Sequence, residues 1–225
     1  ILVEPALPEN IGAAARAMKT MGFHSLRLVN PADHLCERAR WVAHGSADIL
    51  EGARVFSNFA EAVDGIDFLI GTTVRKRAFK RHYYAASELA ALIKNKRNTI
   101  ASVGLVFGPE KSGLTSEQLK KCDIVSSVPL RTTFPSLNLA QAVMVYAYSL
   151  SPLIVDNHGR DIVATNNEKL TVLKNRVSRL LDTFGVREEF HVYHRILERL
   201  AVLSAEDLSL VHFICKKLEG FTEKE

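Results

Sequence analysis

The first 150 residues alternate between strand-like and helix-like segments, and this alternation restricts the chain to few folds. Short apolar runs predict strands at 1–3, 25–29, 67–71, 101–107 and 123–128. Helical spacing predicts helices at 11–21, 37–44, 48–51, 60–63, 86–95, 116–121 and 139–150. A chain of this pattern forms a mostly parallel sheet with helices on both faces. Because ligands bind beyond the carboxyl ends of such strands, we expect the site in the loops after Gly71, Phe107 and Val128.

The end of the chain has a different pattern, which contains helices only. Three apolar stripes, within 170–184, 193–203 and 208–218, predict a small bundle that must lean on another surface. A polar stretch precedes the bundle. The sequence therefore predicts a domain at 1–155, a linker at 156–166 and a helical extension at 167–225.

Composition excludes several classes of protein. The chain is 47% hydrophobic and 24% charged, as is usual for a globular protein. Its three cysteines are far apart and form no C-x-x-C pair, so we expect neither a disulfide framework nor a cysteine-rich zinc module, and we expect a cytoplasmic location.

No signal peptide is visible, and no apolar run reaches the roughly 18 residues of a membrane span. The net charge of +4 arises within residues 1–159, which is compatible with a nucleic-acid partner.

Familiar catalytic and nucleotide-binding motifs are absent from the sequence. There is no G-x-G-x-x-G fingerprint and no G-x-S-x-G elbow, and the segment from Gly108 to Gly113 lacks the Lys-Ser/Thr of a phosphate-binding loop. Glu188 and His191, with His194 one turn later, have no second ligand pair, which favours surface or packing roles. We therefore expect no metal site.

Three segments remain that packing alone does not explain. In 8–22, Arg16 is a lone guanidinium among alanines and is either functional or simply solvated. In 105–114, Glu110 follows an apolar strand and either serves the site or caps a turn. In 128–143, Ser136 and Asn138 open a helix after a loop with two prolines, as N-caps or as functional groups.

In order along residues 1 to about 150, these segments resemble the three motifs of the SpoU (TrmH-type) family of RNA ribose 2′-O-methyltransferases. The matching patterns are E-N-I-G-x-x-x-R, F-G-x-E-x-x-G-L and P-S-L-N-L-A-x-A-V. The long first motif and the helical tail are most similar to the TrmJ/LasT branch, whose better-known members modify tRNA. The resemblance implies an α/β-knot fold with a trefoil knot, S-adenosylmethionine as methyl donor, no metal and an obligate homodimer.

The resemblance also implies which residues form the site. The functional positions of the family fall on Asn10, Arg16, Glu110, Ser136 and Asn138. Largely through backbone amides, the donor pocket would be lined by Thr72, Thr73, Gly108, Val128, Leu130 and Leu137. The implied reaction is attack of a ribose 2′-hydroxyl on a sulfonium methyl group. Since a guanidinium is a poor base, we expect Arg16 to clamp a phosphate and to stabilise charge.

The residues alone leave two other functions open. One is an RNA-binding protein that keeps the fold without catalysis, and the other is a methyltransferase acting on a guanine base. Base methylation usually needs a positioned Asp, and the three motifs offer only Glu110, which favours ribose. We expect tRNA, methylated at a site of the anticodon-loop type, to be favoured over rRNA as the substrate.

A basic segment follows the strand that ends at Gly71. Residues 75–84 contain three aromatic side chains and five permanent cations, Arg75, Lys76, Arg77, Lys80 and Arg81. The segment either binds single-stranded RNA through phosphates and stacking or is a solvated loop. We expect RNA contact here. We also expect a two-fold dimer in which the tail helices add to the interface or cover the partner.

Overall fold

The computed structural model describes residues 1–74, 82–96, 99–131, 136–155 and 169–222. Within them the chain forms short strands separated by helices, as the alternation predicts. The strands are β1 (Leu2–Val3), β2 (Arg27–Val29), β3 (Arg54–Phe56), β4 (Phe68–Thr72), β5 (Tyr83–Ala85), β6 (Val103–Val106) and β7 (Ile124–Ser127). The sequence predictions missed β3 and β5. Each has only three residues and neither has a fully buried residue, so neither produces an apolar run.

All strand pairs in the described chain are parallel, in the orders β1-β2-β3 and β5-β7-β4-β6. A bridge between Leu2 and Phe107 joins the two groups through β1 and the end of β6. The Val3 amide donates to the Phe107 carbonyl at 2.8 Å, and the Phe107 amide donates to the Ile1 carbonyl at 2.9 Å. Strands β6, β4 and β7 are therefore neighbours, and the three loops predicted to hold the site leave the same edge.

Seven helices surround these strands: α1 (Pro8–Thr20), α2 (Glu37–Val42), α3 (Ala47–Glu51), α4 (Phe59–Val63), α5 (Leu89–Asn95), α6 (Ser116–Lys121) and α7 (Leu139–Val155). A 3-10 turn (Ala86–Glu88) precedes α5. Helix α1 begins three residues before the predicted Ile11, because Pro8 is suited to a first helical position, where its missing N–H is not needed. The side chains of Thr115 and Gln118 form the predicted capping box at the start of α6.

The end of the chain forms the three predicted helices, α8 (Lys169–Thr183), α9 (His191–Ala201) and α10 (Ala205–Thr222). They share one hydrophobic core with the sheet, in which Leu170 and Leu173 are fully buried together with Phe68 and Ile70. The three-helix bundle thus packs against the α/β part of the same chain. The predicted linker, 156–166, lies outside the described residues. Among the helices that the structure describes, none has the length and apolarity needed to cross a bilayer.

Partly buried polar contacts of Lys174 attach α8 to the amino ends of β4 and β7. Lys174 Nζ donates to the Asp123 carboxylate at 2.6 Å and to the Asp67 carbonyl at 3.0 Å. Lys96 Nζ donates to the carbonyl of Leu203 at 2.9 Å, which ties α5 to the turn between α9 and α10. The helical extension therefore docks beside the sheet edge opposite the loops that follow β4, β6 and β7.

Candidate active site

Three polar side chains from distant parts of the chain meet at the carboxyl edge of the sheet. Asn138 Nδ2 donates to Asn10 Oδ1 at 2.8 Å, and Asn10 Nδ2 donates to Glu110 Oε1 at 2.7 Å. Asn10 is buried, so an amide without these partners would carry a desolvation cost. The hydrogen bonds join one residue from each of the three motifs, which the sequence could associate only through the family resemblance.

Local structure fixes each member of this network. Pro8 starts α1 and places Asn10 in its first turn, while Glu110 follows the end of β6. Asn138 caps α7. Its side-chain Oδ1 accepts a hydrogen bond from the Ala140 amide at 2.8 Å, and its backbone amide donates to Gln141 Oε1 at 3.1 Å. The cap leaves the Asn138 side-chain amide directed at Asn10, so capping and site assembly use the same residue.

The Glu110 carboxylate is held by three donors. Its Oε2 accepts from the Ala6 amide at 3.0 Å, and its Oε1 accepts from the Leu7 amide at 3.3 Å as well as from Asn10. Burial by itself would raise the pKa of Glu110, but the hydrogen bonds outweigh it and the pKa lies below its ordinary value. Glu110 is therefore ionised at neutral pH and its oxygens are already engaged, which suits a positioning role better than that of a base.

Arg16 and Ser136 make no hydrogen bond to this network in the described part of the chain, and both are exposed. Arg16 is seven residues after Glu9, so the two share a face of α1 and are separated by about 10 Å along the helix axis. Within the described residues, the Arg16 side chain has no hydrogen bond or ion pair. Its guanidinium is thus available to an external anion.

The loops proposed to bind the donor are closely connected to one another. Thr72 Oγ1 donates to the Val106 carbonyl at 2.8 Å, and the Thr73 amide donates to the Ser126 carbonyl at 3.0 Å. A Cβ on Gly108 would lie 2.2 Å from the Leu114 amide nitrogen. Only glycine fits there, because the loop after β6 folds back on its own backbone.

Val128, Leu130 and Leu137 are half-buried and belong to the segment between β7 and α7. Apolar side chains that keep part of their surface exposed beside a loop edge suit an adenine or methionine group, which needs apolar cover and a few backbone hydrogen bonds. These residues therefore fit a donor such as S-adenosylmethionine.

Sequence reasoning missed a buried hydrogen-bond chain beneath these loops. Tyr146 Oη donates to Ser126 Oγ at 3.1 Å, and Ser126 Oγ donates to the Tyr84 carbonyl at 2.9 Å. Burial raises the pKa of Tyr146 to about 12, although the bond to Ser126 opposes the shift. One signal was present, because a tyrosine in the apolar stripe of a helix needs a partner for its hydroxyl.

The predicted RNA-binding residues Arg75, Lys76, Arg77, Lys80 and Arg81 lie outside the described residues. In the part of the chain that the structure does describe, no group of three or more His, Cys, Asp or Glu side chains could hold a metal ion.

Comparison with protein-family models identifies both parts of the chain. Residues 1–148 match the model of the SpoU rRNA Methylase family. The chain belongs to this family. Residues 167–220 match a second model, described as the C-terminal domain of the tRNA/rRNA methyltransferase LasT. The SpoU match covers all three motifs and the Asn10–Glu110–Asn138 network.

Relatives of this SpoU methylase extend over nearly its whole length. An uncharacterized tRNA/rRNA methyltransferase LasT from Escherichia coli is 44% identical over 97% of this chain and 96% of its own. The tRNA (cytidine/uridine/adenosine-2′-O-)-methyltransferase TrmJ of Pseudomonas aeruginosa is 33% identical over 90% of this chain and 76% of its own. The crystal structure of TrmJ from Z. mobilis is 32% identical, with a TM-score of 0.66, and covers 97% of each chain.

Proposed function

We propose that this protein transfers a methyl group from S-adenosylmethionine to a ribose 2′-hydroxyl of RNA, with tRNA as the substrate. The observation that carries the proposal is the Asn10–Glu110–Asn138 network, which joins the three motifs, with Arg16 exposed on the same helix as Asn10. The chain's similarity to proteins named as tRNA 2′-O-methyltransferases supports both the reaction and the substrate.

The residues that would hold the donor are Thr72, Thr73, Gly108, Val128, Leu130 and Leu137. When bound, S-adenosylmethionine supplies an activated methyl group. The protein then has to align the ribose and manage one proton, so positioning supplies most of the acceleration. Asn10, Glu110 and Asn138 fix the relative positions of α1, the loop after β6 and α7, and are positioning residues.

Arg16 is the group that we assign to the RNA. A guanidinium stays protonated in proteins and cannot accept the proton of the ribose hydroxyl. It can bind a phosphate through two parallel hydrogen bonds and stabilise the negative charge that develops on the attacking oxygen. The proton then passes to an RNA phosphate or to water. We assign Ser136, which is exposed three residues before α7, to the same substrate.

We further propose that the α/β part is knotted, that residues 1–155 form the methyltransferase domain and residues 167–225 its helical extension, and that the enzyme is a cytoplasmic homodimer. Tyr148 on α7 supports the dimer, because its side chain is 68% exposed although its neighbours Tyr146 and Ala147 are buried. Sedimentation at micromolar concentration tests the dimer, and a monomer would contradict it. The tail helices pack on their own chain, so the dimer does not require them to cover the partner.

The reaction is tested with purified protein, S-adenosylmethionine and tRNA transcribed in vitro. We expect digestion to nucleosides and mass spectrometry to find a 2′-O-methyl nucleoside. The Arg16→Ala variant should lose the product while calorimetry still detects S-adenosylmethionine binding. A methyl group on a guanine base would replace the proposal with base methylation, and absence of donor binding would favour a non-catalytic RNA-binding protein.

A further inference from the structure

Trp41 is the only tryptophan of the chain, and it lies on the outer side of α2. Its side chain is 83% exposed, the largest exposed fraction of any large apolar side chain in the described part of the chain. Indole has a broad apolar face and is largely buried in most folded proteins. Aromatic side chains of this kind are enriched at contact sites.

The position of α2 connects Trp41 to the candidate active site. Ala39 of α2 packs against α1 at Gly12, where a Cβ would lie 2.1 Å from the Ala39 carbonyl oxygen. On the same helix, Arg38 approaches Glu9 of α1 at 3.4 Å. Glu9 immediately precedes Asn10, so α2 is held against the first motif.

The segment that leads into α2 borders the site as well. The Ala32 amide donates to the Pro5 carbonyl at 3.0 Å, one residue before the Ala6 amide that holds Glu110. Leu35 and Leu7 beside this contact are 41% and 51% exposed. Exposed apolar side chains thus occur both beside the loop that holds Glu110 and in the segment that leads into α2. We call Leu35, Arg38 and Trp41 the Trp41 face.

The charges on α2 favour a base over a run of phosphates. Arg38 is paired with Glu9 and Arg40 with Glu51, and Glu37 is exposed on the same helix, so α2 presents no excess of positive charge. The Arg38 pair is long, and the Arg38 side chain is 69% exposed. Ion pairs of this kind contribute little and exchange readily, which leaves Arg38 able to meet one phosphate.

We propose that Trp41 stacks on an unpaired base of the RNA substrate, away from the methylated nucleotide, while Arg38 binds the adjoining phosphate. Stacking on aromatic side chains is how proteins bind unpaired bases. The inference rests on the proposed function, since it takes RNA as the substrate, and it adds a contact outside the three motifs. It also gives α2 a role in substrate selection, because a continuous duplex offers no free base to the indole.

Because Trp41 is the only tryptophan, its fluorescence reports on this face alone. The full-length protein is titrated with tRNA transcribed in vitro and with a blunt RNA duplex of equal length. We expect tRNA to quench the emission and the duplex to leave it nearly unchanged. Trp41→Ala should weaken tRNA binding about tenfold, and Trp41→Phe should weaken it less. Phe184→Ala, which removes another exposed aromatic ring, is the matched control and should bind tRNA normally.

Two results would overturn the inference. One is unchanged Trp41 emission at tRNA concentrations that saturate binding in a filter assay. The other is emission that changes on dilution of the protein alone, together with a monomeric Trp41→Ala variant, which would assign the face to a second copy. Failure of the proposed function is distinct, because the wild-type protein would then bind tRNA or donor without transferring a methyl group, whatever Trp41 does.

Discussion

Asn138 at the start of α7 donates a hydrogen bond to Asn10 in the first turn of α1, across 2.8 Å and 128 residues of chain. Through Asn10 the bond continues to Glu110, so two helices and a loop are held by one buried amide. Removing that amide should therefore affect stability and turnover together.

Replacing Asn10 by Ala should lower the free energy of unfolding by about 1–3 kcal/mol, because Glu110 Oε1 loses its shortest hydrogen bond and the Asn138 amide loses its acceptor. Urea unfolding measures the change, and methyl transfer should fall as well. Glu9→Ala is the neighbouring control. It removes the ion pair between Glu9 and the exposed Arg38, which is worth at most about 1 kcal/mol. Equal losses in the two variants would contradict a structural role for the network.

Replacing Arg16 by Ala should abolish turnover without weakening donor binding, since the exposed guanidinium is assigned to RNA. Arg16→Lys should retain part of the activity, because an ammonium keeps the charge but loses the paired hydrogen bonds. Single-turnover kinetics and donor calorimetry separate the two effects. Lys19→Ala, on the same helix but paired with Asp48, should behave as wild type. Near-normal turnover of Arg16→Ala would remove Arg16 from the mechanism.

Replacing Gly12 by Ala should destabilise the protein by about 1–3 kcal/mol, because the new Cβ would meet the backbone of α2 at Ala39. Thermal unfolding of the variant and of the wild type measures this difference in stability. Gly220→Ala in α10 is the matched control, as its Cβ would have no neighbour within 4 Å. That control should be neutral or slightly stabilising. A neutral Gly12→Ala would show that α2 moves away from α1 at no cost.

Lys96 makes stability depend on pH. Its burial lowers its pKa to about 8, although Asp123 opposes the shift. Between about pH 8 and pH 10.5 the unfolded chain keeps a proton that the folded chain has released, so Lys96 makes the protein more stable as the pH rises. Below pH 8 this gain is absent.

The difference between wild type and Lys96→Met isolates this effect, because the remaining titrating groups are common to both. Unfolding free energies at intervals from pH 7.5 to 10 should diverge in favour of the wild type, by at most about 1.4 kcal/mol per pH unit. Parallel curves would mean that the folded protein leaves the pKa of Lys96 unchanged.

How far the sequence predicts the molecule depends on the range of the interaction. The helices and the strands that contain buried residues are correctly predicted, because apolar runs, helical periodicity and caps such as Thr115 are local signals. Strand β5 was missed, because three half-buried residues beside a basic segment produce no pattern. The docking of α8 through Lys174 and Asp123 joins residues 51 apart and leaves no trace in either local sequence.

The candidate site also depends on contacts between residues far apart in the chain, which local sequence does not reveal. The predicted residues Asn10, Glu110 and Asn138 came from a family resemblance, and the structure adds that they bond to one another. The Ser126–Tyr146 bond was out of reach, because a hydroxyl in an apolar stripe signals the need for a partner but does not identify it.

The distance along the chain between Asn10 and Asn138 also sets the time at which the site can form during synthesis. A ribosome that adds about 5–20 residues per second needs roughly 6 to 26 s to make the intervening 128 residues. For most of that interval β1 also waits for the end of β6, its neighbour on the other side from β2. The nascent chain is therefore inactive among the tRNAs that deliver its own amino acids, and it becomes competent only after α7 has begun to fold.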